Sequence, residues 1–155
     1  MLVFGSLLLI GCHLAFAFIL PLFKGTAGSI VIAYLTILVL GASFSLVPAS
    51  LWPSVPKLVE PKIIGSAYAL IFWIQNIGLW LFPLLIGKVL DMTNPEIVNG
   101  LANKTITAEQ AAVSYDYTAP LVMLACLGVA ALILGLILKV VDRKKGLGLE
   151  EPNIK

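Results

Sequence analysis

Charge is what this chain has least of. Only 12% of its 155 residues are Asp, Glu, Lys or Arg, against about 25% in soluble domains, and 60% are hydrophobic. With a mean hydropathy of +1.05, water is not its principal solvent. The Lys and Arg residues are scattered and the formal net charge is +2. Phosphate binding therefore has no basic patch to use, and no nucleic-acid partner is expected. Sulfur is equally sparse. Cys12 and Cys126 stand in apolar runs with no CxxC or Cys/His spacing, which supports neither a disulfide framework nor a zinc site and predicts two inert buried thiols. The single histidine, His13, has no acidic residue in its apolar run, so an internal hydrogen bond is expected of it rather than a proton relay. No nucleophile, metal or phosphate constellation appears, no cofactor is implied, and the chain does not read as an enzyme.

What is present is hydrophobic length. Four stretches almost free of charge occupy residues 1–23, 29–51, 63–90 and 120–141, each long enough at 1.5 Å per residue to cross about 30 Å of hydrocarbon. The expected fold is all-α and membrane-integral, with four antiparallel transmembrane helices. Lys24 to Gly28 form a tight turn, and Ser29 is placed to cap the second helix. Residues 52–62 read as a Pro-rich loop, where Pro53, Pro56 and Pro61 interrupt continuous helix and Lys57, Glu60 and Lys62 supply charge. Pro61 also suits a first helical position. Residues 91–119 are the one sizeable polar segment, with room for two short helices. There Asn94-Pro95-Glu96 reads as a cap, a first-turn proline and an early acid, and Thr107 with Gln110 has capping-box spacing. Lys88 and Asp91, three apart at a helix end, predict a snorkelling ion pair. Residues 142–155 form a polar, glycine-containing tail, expected to be disordered.

Orientation follows from basic residues, which accumulate in cytoplasmic loops. Lys57, Lys62, Lys139, Arg143, Lys144, Lys145 and Lys155 fall on one side, and Lys24, Lys88 and Lys104 on the other. This predicts a cytoplasmic Pro-rich loop, tail and N-terminus, with residues 91–119 outside. Leu9-Ile10-Gly11-Cys12 resembles a lipoprotein cleavage box, but no Lys or Arg precedes it and the apolar run continues to Phe23, so the stretch is read as a span. That span starts without orienting flanks, as though cut at its front.

Polar groups inside hydrocarbon are costly and usually face other helices or a water-filled path. The fourth stretch has essentially none and the first only Ser6, Cys12 and His13, which suits helices at a lipid-facing periphery. In the second, Tyr34, Leu38, Gly41, Ser45, Pro48 and Trp52 recur at steps of four and three and share one helical stripe. Gly41 and Ser45 permit close approach, and Pro48 frees a carbonyl near Phe44, as in helices that pack tightly or bend. In the third, Gly65, Tyr68, Phe72, Gln75 and Leu79 share a face, Asn76 stands beside Gln75, and Gly78, Pro83 and Gly87 follow. Gln75 and Asn76 offer donors and carbonyls that suit a zwitterionic or peptide-like solute, or that hold a neighbouring helix for about 0.6–2 kcal/mol. Ser45, Trp52, Tyr68, Gln75 and Asn76 are the substrate-path candidates. Gly41, Pro48, Gly65, Gly78, Pro83 and Gly87 are the kink or packing candidates.

The string Ser45-Leu46-Val47-Pro48-Ala49-Ser50-Leu51-Trp52-Pro53, followed by Pro61, Gly65-Ser66-Ala67-Tyr68, Gln75-Asn76-Ile77-Gly78-Leu79 and Gly87-Lys88-Val89-Leu90-Asp91, resembles the C-terminal part of a major facilitator superfamily transporter. More narrowly, the LWP, GxAY and QNxGL elements are similar to those of the lysosomal dipeptide transporter group and its bacterial relatives. Motifs carry the resemblance from Phe44 to Asp91, and hydropathy alone carries it elsewhere. It implies that the spans correspond to helices nine to twelve of a twelve-helix fold with cytoplasmic termini. Helices nine and twelve would lie outermost, ten would line the central cavity, and eleven would pack toward the other half. The implied activity is secondary active or facilitative movement of small solutes, dipeptides among them and with or without protons, by rocking of two halves around a midplane site. The long outer segment is closer to the bacterial relatives, which favours a bacterial inner membrane over the lysosomal membrane of the animal ones. The implied partners are the bilayer, the N-terminal helices of the same transporter and the solute, and a fragment without those helices is not expected to transport. The competing expectation is a complete four-helix membrane scaffold or accessory subunit, with Gln75 and Asn76 holding a partner helix.

Overall fold

The computed structural model describes residues 1–149 and 151; Lys155, counted above among the cytoplasmic charges, lies outside the described residues. The described residues form helices and no strands. Four helices are long and apolar enough to cross a membrane: Leu2–Leu22, Ala27–Leu58, Pro61–Thr93 and Thr118–Lys145. The all-α membrane architecture expected from hydropathy is therefore present. The first span is α1 (Leu2–Leu22). The second contains α2 (Ala27–Leu51), a single 3-10 turn and α3 (Val55–Leu58). A 3-10 turn at Pro61–Ile63 leads into α4 (Ile64–Thr93), and α5 (Pro95–Ala102) and α6 (Ala108–Ser114) precede α7 (Thr118–Lys145).

Packing centres on α1, which lies against both α2 and α7, whereas α4 touches α7 more lightly and has little contact with α2. Lipid tails give helices no hydrophobic reason to associate, so close approach through small residues decides which pairs form. Gly128 lets Ile10 of α1 come so near that an added Cβ would stand 2.8 Å from its Cγ1. Gly135 faces Leu2 and Val3, and Gly5 faces Leu46 and Val47 of α2. The first span keeps a lipid-facing side in Phe4, Leu7, Phe18 and Leu22, which are exposed, but its few polar groups are on the packed side: Ser6, Cys12 and His13 are all buried. Ser6 Oγ donates to the Leu2 carbonyl at 3.0 Å and His13 Nδ1 lies 2.8 Å from the Leu9 carbonyl, the internal bond expected of that histidine. Cys126 is exposed, not buried. Helix α7 turns Ala125 and Gly128 inward, and a one-residue step carries the next side chain about 100° round the helix.

Midway, α1 widens into a π turn at Ala15–Ile19, with the Leu20 N–H bonded to the Ala15 carbonyl. Pro21 follows immediately. It has no N–H, and its ring would strike the carbonyl four residues back in a regular helix; the wider turn accommodates it without breaking the span.

The connections differ from expectation in four places. The Pro-rich segment is helical to Leu58, because Pro53 and Pro56 each occupy the first or second position of a short helical turn, where a missing N–H costs nothing. Helix α2 starts at Ala27, and Ser29 does not cap it. Its hydroxyl donates instead to the Thr26 carbonyl at 2.8 Å, beside Gly25 at φ +83°. Asn94 makes no side-chain cap. Its Nδ2 donates to the carbonyls of Leu90 (2.9 Å) and Asp116 (3.0 Å), and its Oδ1 accepts the Asp116 N–H (2.8 Å), so one side chain closes the polar segment at its base. Lys88 and Asp91, both exposed, form no ion pair; among the described residues the ion pair is Lys62 with Glu60, at 2.7 Å. The Thr107–Gln110 capping box is formed.

The described part of the tail is ordered rather than loose. Helix α7 ends at Gly146, in the left-handed region at φ +61°. The Leu149 N–H donates to Asp142 Oδ1 at 3.1 Å, and Lys57 Nζ of α3 donates to the carbonyls of Gly148 and Glu151. Replacing Lys57 with methionine removes both donors. Amide exchange of Gly148, Leu149 and Glu151 is then expected to rise roughly five- to tenfold, as loss of about 1 kcal/mol implies. Hydrogen–deuterium exchange read by mass spectrometry checks this, and unchanged exchange would mean that the Asp142 bond alone holds the strap.

Candidate solute-path site

The candidates sit on α2, α4 and the turn that leaves α2. Trp52 opens that turn, and its ring stacks on Tyr68 at 5.4 Å and 25° and tilts against Phe72 at 4.9 Å and 39°. Tyr68 and Phe72 are one helical turn apart on α4 and so present neighbouring rings. The Tyr68 hydroxyl donates to the Trp52 carbonyl at 3.0 Å. Local chemistry explains why that carbonyl is available. In a regular helix it would accept from residue 56, which is a proline without an N–H, and only the Val55 N–H reaches it from the backbone. Trp52 and Tyr68 are thus brought together, and Phe72, noted only as a face residue, completes an aromatic joint between α2 and α4.

The remaining polar candidates do not converge. Ser45 Oγ donates to the Gly41 carbonyl at 3.1 Å on its own helix, and Asn76 Nδ2 to the Phe72 carbonyl at 2.8 Å on its own. Both residues are exposed, as is Gln75, for which no hydrogen bond occurs among the described residues. A free carboxamide and a second with its carbonyl open offer donors and acceptors, without charge, on mid-span faces. Gly41, Gly65 and Gly87 would meet nothing within 4 Å if given a Cβ, and Gly78 only the Phe82 ring of its own helix at 3.6 Å. Pro48 and Pro83 lie inside helices that continue through them. The close approaches within this chain use Gly5, Gly128 and Gly135 instead. The seven-residue spacing of the last two, two turns apart on one face, is the sequence signal that marks them. Among the described residues, no cluster of His, Cys, Asp and Glu could hold a metal ion.

Comparison with known proteins locates one related stretch. Over 58 residues the chain is 38% identical to the lysosomal dipeptide transporter MFSD1 of Mus musculus and 36% identical to that of Homo sapiens, covering 37% of this chain and 12% of each relative. With the same transporter of Danio rerio it is 40% identical over 53 residues, 34% of this chain and 12% of that protein. No family model and no solved structure matches the chain. The chain is a multi-pass membrane protein in which a segment of 58 residues is similar to a transporter.

Proposed function

We propose that the chain forms part of a secondary active or facilitative transporter of the major facilitator type, moving small solutes of the dipeptide class by alternating access. One observation carries this reading: Ser45, Gln75 and Asn76 stand on faces of α2 and α4 left open by the chain's own packing, in a chain of which 58 residues are similar to dipeptide transporters. Uncharged amides facing bare lipid are unfavourable, so those faces call for further helices or a water-filled path. The glycines beside them, Gly41, Gly65 and Gly87, leave room for helices of the same transporter to approach. A carboxamide complements a peptide bond by pairing N–H with C=O, which makes Gln75 and Asn76 the proposed solute contacts. The Trp52–Tyr68–Phe72 joint couples the two path-lining helices at their cytoplasmic ends. The same open faces also suit an accessory subunit that holds a partner helix.

Uptake into proteoliposomes containing the full-length protein that carries this sequence separates the readings, using labelled dipeptides against single amino acids and sugars. Dipeptide uptake is expected, and Gln75→Ala with Asn76→Ala is expected to lower it at least tenfold, about 1.4 kcal/mol, at unchanged yield and thermal unfolding. A fall in yield with uptake per folded molecule intact would assign the amides to holding a helix. No peptide uptake by the unaltered protein ends the dipeptide assignment.

A further inference from the structure

At the end of the molecule opposite the Lys57 strap, a cavity of about 820 Å³ opens between α1, α2, α4 and α7, a size within the roughly 300–1,000 Å³ of small-molecule sites. Its interior is apolar and lies at span depth: Phe16 and Leu20 come from the π turn of α1 and its exit, Ile30 from α2 and Leu124 from α7. Its mouth has a different chemistry. Lys24, in the turn between α1 and α2, lines it together with Tyr115, Asp116 and Tyr117, which precede α7. The two tyrosine rings stand 6.1 Å apart at 56°, and Asp116 lies between them in sequence and lines the same cavity. Oδ1 of Asp116 accepts the Thr118 N–H at 2.9 Å. The hydrogen bonds from Thr118 hold its pKa below the ordinary carboxylate value. Lys24 and Asp116 do not pair with each other among the described residues, although they share one mouth.

An apolar chamber at hydrocarbon depth, with a cation and an anion held apart at its rim, matches a molecule with an apolar tail and both charges in its head. We propose that this cavity seats a zwitterionic phospholipid of the bilayer. One acyl chain fills the interior, the phosphate meets Lys24, and the cationic end of the head lies in the Tyr115–Asp116–Tyr117 corner. Aromatic faces and a carboxylate both attract an alkylammonium group, and tyrosines at headgroup level are the usual neighbours of lipid heads. An anionic phospholipid would bring its charge to Lys24 but offer Asp116 no countercharge. A further protein helix would fill the chamber yet leave both rim charges unanswered.

The test is native mass spectrometry of the full-length protein released from nanodiscs of equimolar phosphatidylcholine and phosphatidylglycerol. Retention of phosphatidylcholine at least tenfold above phosphatidylglycerol is expected. The double substitution Lys24→Gln with Asp116→Asn, at two exposed positions, is expected to cut that retention about tenfold. Ala33→Trp, which fills the cavity from α2, is expected to remove the lipid with the rim intact. Equal retention of the two lipids, unchanged retention in the charge variant, or cross-linking of an Ala33→Cys variant to another helix of the protein would each overturn the proposal. Lipid retention is read without transport, so its failure leaves the transporter reading untouched.

Discussion

A leucine in place of Gly128 is expected to lift α1 from α7 and to cost about 3 kcal/mol, at the upper end of overpacking penalties. An added Cβ would stand 2.8 Å from Ile10 Cγ1, 3.6 Å from the Ile10 nitrogen and 3.8 Å from its Cα. The side-chain carbon can turn aside for a single methyl, so Gly128→Ala is expected to cost under about 1 kcal/mol. The two backbone atoms cannot turn aside for the further carbons of leucine, and the helix axis must move. Because α1 also carries the contacts to α2, the displacement spreads. Reversible unfolding in mixed micelles of mild detergent and dodecyl sulfate, followed by tryptophan fluorescence, measures the loss. The comparison is Gly41→Leu, where a Cβ meets nothing within 4 Å; stability is expected to hold there while uptake falls. Equal destabilisation at the two sites would refute the assignment of Gly128, rather than Gly41, as the packing glycine of this chain.

Trp52→Ala is expected to disconnect α2 from α4. The substitution removes two ring contacts, each worth about 0.5–1.5 kcal/mol beyond area burial, so a loss of about 2 kcal/mol is expected. Tyr68→Phe keeps the rings and removes only the O–H. Because the Trp52 carbonyl still accepts from the Val55 N–H, that loss should stay near 0.6 kcal/mol, typical of hydrogen bonds between membrane helices. The double variant should show a coupling no larger than the roughly 0.6 kcal/mol of that hydroxyl bond. Spin labels on the exposed positions Leu38 and Leu79 report the geometry directly: in Trp52→Ala the distance distribution between α2 and α4 should broaden, and in Tyr68→Phe it should not. A distribution indifferent to Trp52 would show that the ring contacts do not hold the two helices together.

Hydropathy made the four helices legible, since a long run without charge has few other stable homes. The capping box at Thr107 and Gln110 was legible for a similar reason, its parts being three residues apart and needing nothing distant. What depended on partners was not. Gly41, Gly65 and Gly87 are intramembrane glycines like Gly128 and Gly135, which only their seven-residue spacing sets apart in sequence, and the helix opposite decides which of them meet a neighbour. Ser6, Cys12 and His13 were too few to mark a packed face by polarity, because the face is set by glycines on a span more than a hundred residues away. Trp52 and Tyr68 were each visible as members of a stripe, but their meeting rests on how the turns after Leu51 aim two helices. Proline was read as a breaker where it begins turns. Asn94 was read as a cap because its sequence position is a cap's, whereas Asp116 returns beside it from 22 residues away and claims its side chain. The glycines of the tail suggested looseness, and Lys57, in another element, supplies the anchor.

The attachment of α4 has a mechanical consequence. None of its residues is buried, yet Tyr68 is fixed to Trp52 near its start and Asn94 is fixed to Asp116 just past its end. A rod borne at both ends and only lightly touched by α7 resists swinging and yields most readily to torsion about its own length. On such a rod Gln75 and Asn76, about 100° apart around the circumference, face different neighbours at one height, and a twist too small to disturb either end shifts both amides together.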